Sequence, residues 1–564
     1  MLGNSDFLTG AFPAEYGNAL SGVFDIKFRN GNNSSWEHTV SIGTMGIDLA
    51  SEGPFKKNGN ASCIFNYRYS TLQFMSSFLP DGAGNMRYQD LSFKLNFPTK
   101  RAGTFSFWGL ELIDSNKEKA KASSDEWEYE GDRQSYKTAI NTGIAGLTHR
   151  ISLNDRGYWK TVLAATGSGI RSNADRISDD MVSNPENTIS KTNWNFILNS
   201  FVNLRLGKYI NRSGITMTGM TYDVLLKNYL QPSKEFLTIV DDNGASALIE
   251  AYTDFSFHLR NRWTLNTGLH GQVFLLNSHY PIEPRIAVKY QLPNKSSFCF
   301  SYGMHSRMEQ LNYYLSRSEK GELHNKNLDF TRAHHLVLSF DRSLGKDYHI
   351  RIEPYLQLLL YNVPVAADSS LSLINLRDEW FIQDKFYSNG KGLNYGIELT
   401  VEKFLSKGYY WLLTGSLYSS RYRGGDGIWR NTRYNRGYMV NMLFGKEWMV
   451  GRSRHNLCAA NFRLTLSGGN RYSPVNEKES EKMQDVVFDE SQAYSKQLSP
   501  AFWADFTVYY RMNRTKVSHE IGLKMLNATF YSEYLDHQYN FKTHKVDIYR
   551  DGISIPNLYY KIEF

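Results

Sequence analysis

The chain has 564 residues, 41% hydrophobic and 14% aromatic, with 37 Tyr, 33 Phe, only 14 Pro and a formal net charge of +8. That length normally divides into several domains, yet no Pro-rich, Gly/Ser-rich or charged linker interrupts it, so one large unit is expected. The charge is modest and its cations are mixed with acids, which argues against nucleic-acid binding. No run approaches the roughly 18 apolar residues of a spanning helix; the richest, Leu356–Tyr361, is strand-length, so a helical membrane protein is excluded.

Many aromatic residues combined with a negative mean hydropathy fit strands that have one apolar and one polar face. The start, Met1-Leu2-Gly3-Asn4-Ser5-Asp6, has neither a basic n-region nor an apolar h-region, so no secretory signal is expected there. For an outer-membrane protein that would mean that the native N-terminus is missing. Cys63, Cys299 and Cys458 are scattered through strand-like sequence, which supports neither a disulfide framework nor a metal site.

In chain order, the first ordered stretch is Pro13–Arg29. Val23–Arg29 alternates Phe24, Ile26 and Phe28 with Asp25, Lys27 and Arg29, as a half-buried strand would, after the turn formers Gly17, Asn18, Ser21 and Gly22. From Trp36 on, strands alternate with connections whose lengths themselves alternate. Short polar turns are expected at Lys56–Asn60, Thr99–Gly103, Asn154–Gly157, Gly207-Lys208, Asn261-Arg262 and Pro293–Lys295, and again at Gly345–Asp347, Ser406–Gly408, Arg452–Arg454 and Asn513–Thr515. Between them fall longer loops: Phe74–Arg87, Ser115–Lys137, Ser178–Ser190, Pro232–Ser246, Met308–Leu328, Ala366–Gly390, Gly424–Asn435, Val475–Ser495 and Tyr531–Asp551, with Gly43–Gly46 and Asn277–Pro281 as short members of that side.

Within the strands the period is two. Ile286, Val288, Tyr290 and Leu292 alternate with Arg285, Ala287, Lys289 and Gln291, and Tyr395, Ile397, Leu399 and Val401 with Gly396, Glu398, Thr400 and Glu402. Alternation alone fits a sandwich or a barrel. Number decides: the turns imply about 22 strands at roughly 24 residues per strand and connection, suited to a membrane barrel, whereas an open sheet of that size would curl or split. The expected fold is therefore all-β, a large antiparallel transmembrane β-barrel of about 22 strands, with short turns on one rim and long loops on the other. The register predicts Phe298, Phe300, Tyr302 and Met304 facing lipid and Cys299, Ser301 and Gly303 facing the lumen. The end, Leu558-Tyr559-Tyr560-Lys561-Ile562-Glu563-Phe564, places Leu558, Tyr560, Ile562 and Phe564 on one face.

The run Glu15-Tyr16-Gly17 followed by Gly22-Val23-Phe24-Asp25-Ile26 resembles the end of the plug domain in TonB-dependent outer-membrane receptors, where such a stretch leads into the first barrel strand. Asn66–Ser70, Glu283-Pro284-Arg285, Tyr302–Ser306 and Asp426–Thr432 also resemble motifs of receptors whose plug follows a carboxypeptidase-regulatory-like domain, and the terminal Phe564 resembles the assembly signal of outer-membrane barrels. The resemblance implies residues 1–35 as the end of a plug with its junction (Glu15, Tyr16, Gly17, Gly22, Phe24, Ile26) and 36–564 as the barrel. It also implies residence in the outer membrane of a Gram-negative bacterium, in contact with its lipid and with the barrel-assembly machinery. Uptake of a scarce nutrient would be energised by TonB, reached only through an N-terminal part missing here, so the chain would be a fragment or a truncated form. The alternative is a passive porin-like channel or a structural barrel.

Catalytic signatures are missing: there is no Gly-x-Ser-x-Gly elbow, His-Glu-x-x-His or phosphate loop, so no enzyme, metal or cofactor is expected. His334-His335 is the one adjacent histidine pair, and on a strand its rings point to opposite faces. Aromatics in the long loops, Trp127, Tyr129, Tyr313, Tyr314, Trp380 and Trp429, fit either ligand contact or an upper aromatic girdle.

Overall fold

A computed structural model describes residues 1–57, 59–72, 86–230, 235–259, 262–318, 320–376, 379–452 and 454–564. Twenty-two strands close an antiparallel barrel, the short Trp429–Asn431 pairing being an addition beside Tyr409–Arg423. It closes where the last strand, Ile555–Glu563, pairs with the first, Glu37–Gly43, from Tyr559 opposite Gly43 to Glu563 opposite Thr39. The ten expected short turns fall where the sequence puts them, on one rim; Asn58, Asn261 and Ser453 within them lie outside the described residues. Of the expected loop Phe74–Arg87, only Met86 and Arg87 are described.

Faces follow the period of two. Phe298 and Phe300 are 44% and 45% exposed on the outer wall, and their ladder partners Tyr290, Val288, Phe340 and Leu338 continue that apolar belt on both sides. Lys289 stands opposite Cys299, on the inner face with Arg285 and Gly303, as the alternation requires. The histidine pair splits as expected: the His335 ring reaches inward to the Gly10 carbonyl at 3.0 Å, and His334 meets the Tyr302 hydroxyl at 3.0 Å on the other face.

The wall is uneven in height. Gln134–Ser152, Gly157–Ile177, Ser183–Leu206, Tyr209–Leu230 and Glu235–Leu259 run for 19, 21, 24, 22 and 25 residues, against 7 for Glu37–Gly43 and 9 each for Ser62–Ser70 and Ser518–Leu526. A tilted strand crosses the bilayer in about 9 to 11 residues, so the tall wall continues well beyond it. This corrects three expected loops. Ser183–Ser190 and Glu235–Ser246 are ladder, as are both ends of Ser115–Lys137; the turn between Ile177 and Ser183 is only residues 178–182, and 231–234 lie outside the described residues. Val475–Ser495 carries a helix, Glu477–Met483, and Tyr531–Asp551 a hairpin, Glu533–Asn540 with Lys545–Asp551.

The N-terminal residues make no barrel strand. Asp6–Thr9 pairs with Gly22–Asp25 in a separate two-stranded sheet, so the ladder ends at Asp25 and only an isolated bridge, Leu2 with Phe28, extends it toward Arg29. The expected strand Val23–Arg29 is thus shorter. Its charged side chains find water and partners within the barrel: the Lys27 Nζ lies 2.7 Å from Asp6 and 3.1 Å from Asp25.

Candidate functional site

The inner wall grips residues 10–18 of that segment through side chains of six neighbouring strands. A segment without regular structure has backbone groups to satisfy, and buried ones must be paired. From Ile282–Gln291, the Arg285 Nη1 donates to the carbonyls of Phe12 at 3.2 Å, Tyr16 at 2.8 Å and Pro13. Asp254, on Glu235–Leu259, accepts from the amides of Ala14 at 3.1 Å and Glu15 at 3.2 Å. His270, on Trp263–Phe274, meets the Ala14 carbonyl at 2.8 Å, and Asn18 accepts from the Met308 amide at 2.9 Å.

Arg285 is itself held. Its Nη2 lies 2.6 Å from Glu283, which also accepts from Gln272 at 2.8 Å and from the Ser306 hydroxyl. The three carbonyls share the two hydrogens of Nη1 while Nη2 holds Glu283, so one guanidinium ties the segment to the wall. The Phe12 ring, 2% exposed, packs 3.9 Å from the His305 ring centroid with the Arg285 guanidinium 5.0 Å away. Gly17 is dictated by crowding: a Cβ there would sit 2.1 Å from a Glu250 oxygen and 2.4 Å from the His270 ring. Glu15 reaches Arg212, 2.9 Å from Nη1, yet burial raises its carboxyl above the ordinary range against the pull of that cation.

At the opposite rim the long loops bond to one another in sequence around the mouth. Phe541 donates to the Glu128 carbonyl at 2.9 Å, the Tyr472 ring packs tilted against His537 with centroids 4.9 Å apart, and the Arg471 amide donates to the Arg433 carbonyl at 2.8 Å. Asn375 accepts from the Arg433 amide at 3.0 Å, Asn325 from the Phe386 amide at 2.8 Å, and Arg317 pairs with Asp242 of the tall wall at 2.8 Å. Beneath this roof Leu248, Phe274, Tyr313, Tyr314, Phe330 and Phe386 form an apolar cluster.

The aromatics expected in the loops do not converge on one site. Trp127 is buried, its indole donating to the Lys121 carbonyl at 3.0 Å under the Arg133 guanidinium. Tyr129 packs on Tyr549, with its hydroxyl 3.4 Å from Asp547. Tyr313 and Tyr314 lie inside the roof cluster, Trp380 sits under the Lys191 ammonium at 5.5 Å, and Trp429 is 40% exposed. Of the junction residues, Glu15, Tyr16 and Gly17 are in the clamp, whereas Phe24 and Ile26 are exposed. Leu558, Tyr560 and Phe564 are exposed and alternate with inward Tyr559 and Glu563, and Ile562 shares their parity. Asp254 and His270 are contacts of the segment that the sequence does not single out; their signal is their place as polar members of alternating strands, which every barrel strand has.

A closed barrel of twenty-two strands, with a segment held inside and long loops on one rim, is a fold that solved outer-membrane receptors share. No family model and no curated protein matches the sequence. Among solved structures the chain is similar to the siderophore receptor PiuA from Acinetobacter baumannii, at TM-score 0.67 and 12% identity over 99% of this chain and 86% of that one. It is similar also to the pyoverdine outer membrane receptor FpvA from Pseudomonas aeruginosa PAO1 (TM-score 0.70, 11% identity, 99% and 83% covered) and to the copper transporter OprC (TM-score 0.65, 10% identity, 99% and 85% covered). At these identities the likeness is one of fold.

Proposed function

We propose that this chain is the barrel, residues 36–564, and the barrel-proximal end of the plug, residues 1–35, of a TonB-dependent outer-membrane receptor for a scarce nutrient. The observation that carries the reading is the clamp on residues 10–18. A channel for free diffusion has no use for side chains on six neighbouring strands that fix an irregular segment across its interior, whereas a gated receptor needs its plug anchored to the wall. The work is transport without covalent chemistry. Coupling to TonB runs through plug sequence beyond the clamp, and the similar structures named for siderophore and copper uptake support a nutrient as ligand without fixing which one. Trp429 and Trp380 are the loop aromatics placed best for ligand; Tyr313 and Tyr314 support the roof over it. Leu558, Tyr560, Ile562 and Phe564 are the face offered to the barrel-assembly machinery.

The test is transport in the native host. Deleting the gene should abolish accumulation of one scarce nutrient, and restoring it should rescue accumulation only while the inner membrane is energised and TonB is present. Rescue that survives an uncoupler would overturn the proposal in favour of a passive channel.

A further inference from the structure

The short-turn rim carries a charge pattern that neither the clamp nor the roof uses. Every one of its ten turns holds at least one Lys or Arg: two in Lys56-Lys57, Lys100-Arg101, Arg452/Arg454 and Arg514/Lys516, and one in each of the other six. Among the described turn residues that makes fourteen cations against two acids, Asp155 and Asp347, in a chain whose totals are 64 and 56. All fourteen are exposed, and none is in an ion pair among the described residues. The other rim does not share the bias; residues 473–495 alone hold six acids against two cations.

Height identifies what the cations face. Just inside the turns the outer wall bears paired aromatic rings: Phe55 on Phe97 at 5.1 Å, Trp263 on Tyr290 at 4.5 Å and Phe298 on Phe340 at 4.9 Å. Such girdles mark the boundary between hydrocarbon and headgroups. The turn cations lie at or just beyond it, Lys56 next to Phe55, Arg262 next to Trp263 and Lys295 three residues from Phe298, which at about 3.3 Å per residue is headgroup depth. Shape then separates the possible occupants. A partner protein would cover one sector, but these cations run through all ten turns around the barrel.

We propose that the short-turn rim is a docking ring for anionic phospholipid, with the headgroup phosphates of the adjoining leaflet neutralising its Lys and Arg side chains. The ring fixes the height of the barrel in the membrane and gathers anionic lipid around it. Point charges on flexible stems suit mobile phosphates, and exposed pairings of this kind weaken with salt.

The test is lipid selectivity of the full chain in bilayers of phosphatidylcholine with a minority of spin-labelled phosphatidylglycerol, compared with spin-labelled phosphatidylcholine. The expected result is a several-fold preference for phosphatidylglycerol at low salt that collapses in 0.5 M NaCl. Two variants sample opposite sides of the ring: Lys56→Gln/Lys57→Gln/Lys100→Gln/Arg101→Gln and Lys208→Gln/Arg262→Gln/Lys295→Gln/Lys346→Gln. Each should remove a comparable part of the preference. Equal association of the two lipids with the unmodified protein overturns the proposal, and that measurement needs no variant to fold. So does a loss confined to one of the two sectors, which would mark docking of a partner there instead.

Discussion

One strand, Tyr209–Leu230, lives in two solvents, and its lower and upper halves obey opposite rules. In the lower half the outward residues Ile215 and Met217 are apolar and 44% and 41% exposed, while Arg212 and Thr216 face inward. In the upper half the inward residues Tyr222, Val224 and Leu226 are apolar and buried, at 8%, 0% and 0% exposure, and the outward ones are Asp223 and Lys227. The backbone ladder runs through both halves, broken only by an irregularity at Leu226/Lys227. What changes is the surroundings. Lipid outside and water or the N-terminal segment inside put apolar residues on the outer face; above the membrane, water lies outside, and the loop residue Leu315 packs on Ile239 and Val240 within. The apolar parity therefore moves from odd to even numbers between Met217 and Tyr222, and that slip marks the membrane surface.

The contrast is broken most severely from the inside of the upper half. Val224→Arg should cost roughly 3 to 5 kcal/mol, because it buries a cation without a partner, and Asp223→Arg beside it should stay within about 0.5 kcal/mol. Trypsin digestion of the folded barrel reads this out: new cleavage within 183–246 is expected for the first variant alone. Equal protection of both would mean that the upper half has no inner core. In the lower half the polarity reverses, so Ile215→Arg should lower the folded yield, at roughly 2 to 4 kcal/mol for a charge near the middle of the lipid face, and Thr216→Arg should be tolerated. A second sector gives an independent check. Phe300→Arg and Ser301→Arg lie on neighbouring faces of the short-wall strand Ser296–Arg307, and only the first should reduce heat-modifiable barrel in the membrane fraction.

The two halves were unequally legible in sequence. Ile286, Val288 and Tyr290 alternate cleanly with Arg285 and Lys289, the short turns are marked by Gly, Asn and Lys, and together these yield the barrel, its strand number and its register. In sequence the tall wall resembles loops at Ser178–Ser190 and Pro232–Ser246 because its outward residues there, such as Asp241 and Asn243, are those of a solvated loop. Its inward apolar residues, Ile239 and Val240, are adjacent rather than alternate, since the bulge opposite Leu226/Lys227 puts one extra residue into this strand. The clamp was half legible. Glu15-Tyr16-Gly17 stood out, but Asp254, His270 and Arg285 are far away in sequence, and only closure of the barrel brings them to one segment.

The smallest expected effect concerns one turn of the roof, whose shape rests on a single partly buried ion pair. The Asp426 carboxylate accepts from Arg430 Nη1 at 2.8 Å and Nη2 at 2.6 Å and from the Ile428 amide at 3.0 Å, which closes residues 426–430 into a compact turn. The Arg430 hydrogen bonds hold its carboxyl below the ordinary range, since they favour the charged form. A carboxyl lowered by folding lends stability that is fully present above the unfolded value of about 3.9 and is lost as pH falls through the lowered value. The turn should thus be intact at neutral pH and open only in acid, with Trp429 carried along. Asp426→Asn should remove the paired charge at all pH values, at about 1 to 2 kcal/mol for a bidentate pair that is only partly exposed. Hydrogen exchange of residues 424–432, followed from pH 7 to pH 3, separates the outcomes. Protection should fall toward acid in the unmodified protein, and at neutral pH it should already be reduced in Asp426→Asn, with the barrel strands unchanged in both. If acid exposes the barrel strands together with the turn, the roof is one cooperative unit with the wall, and the pair has no separate role.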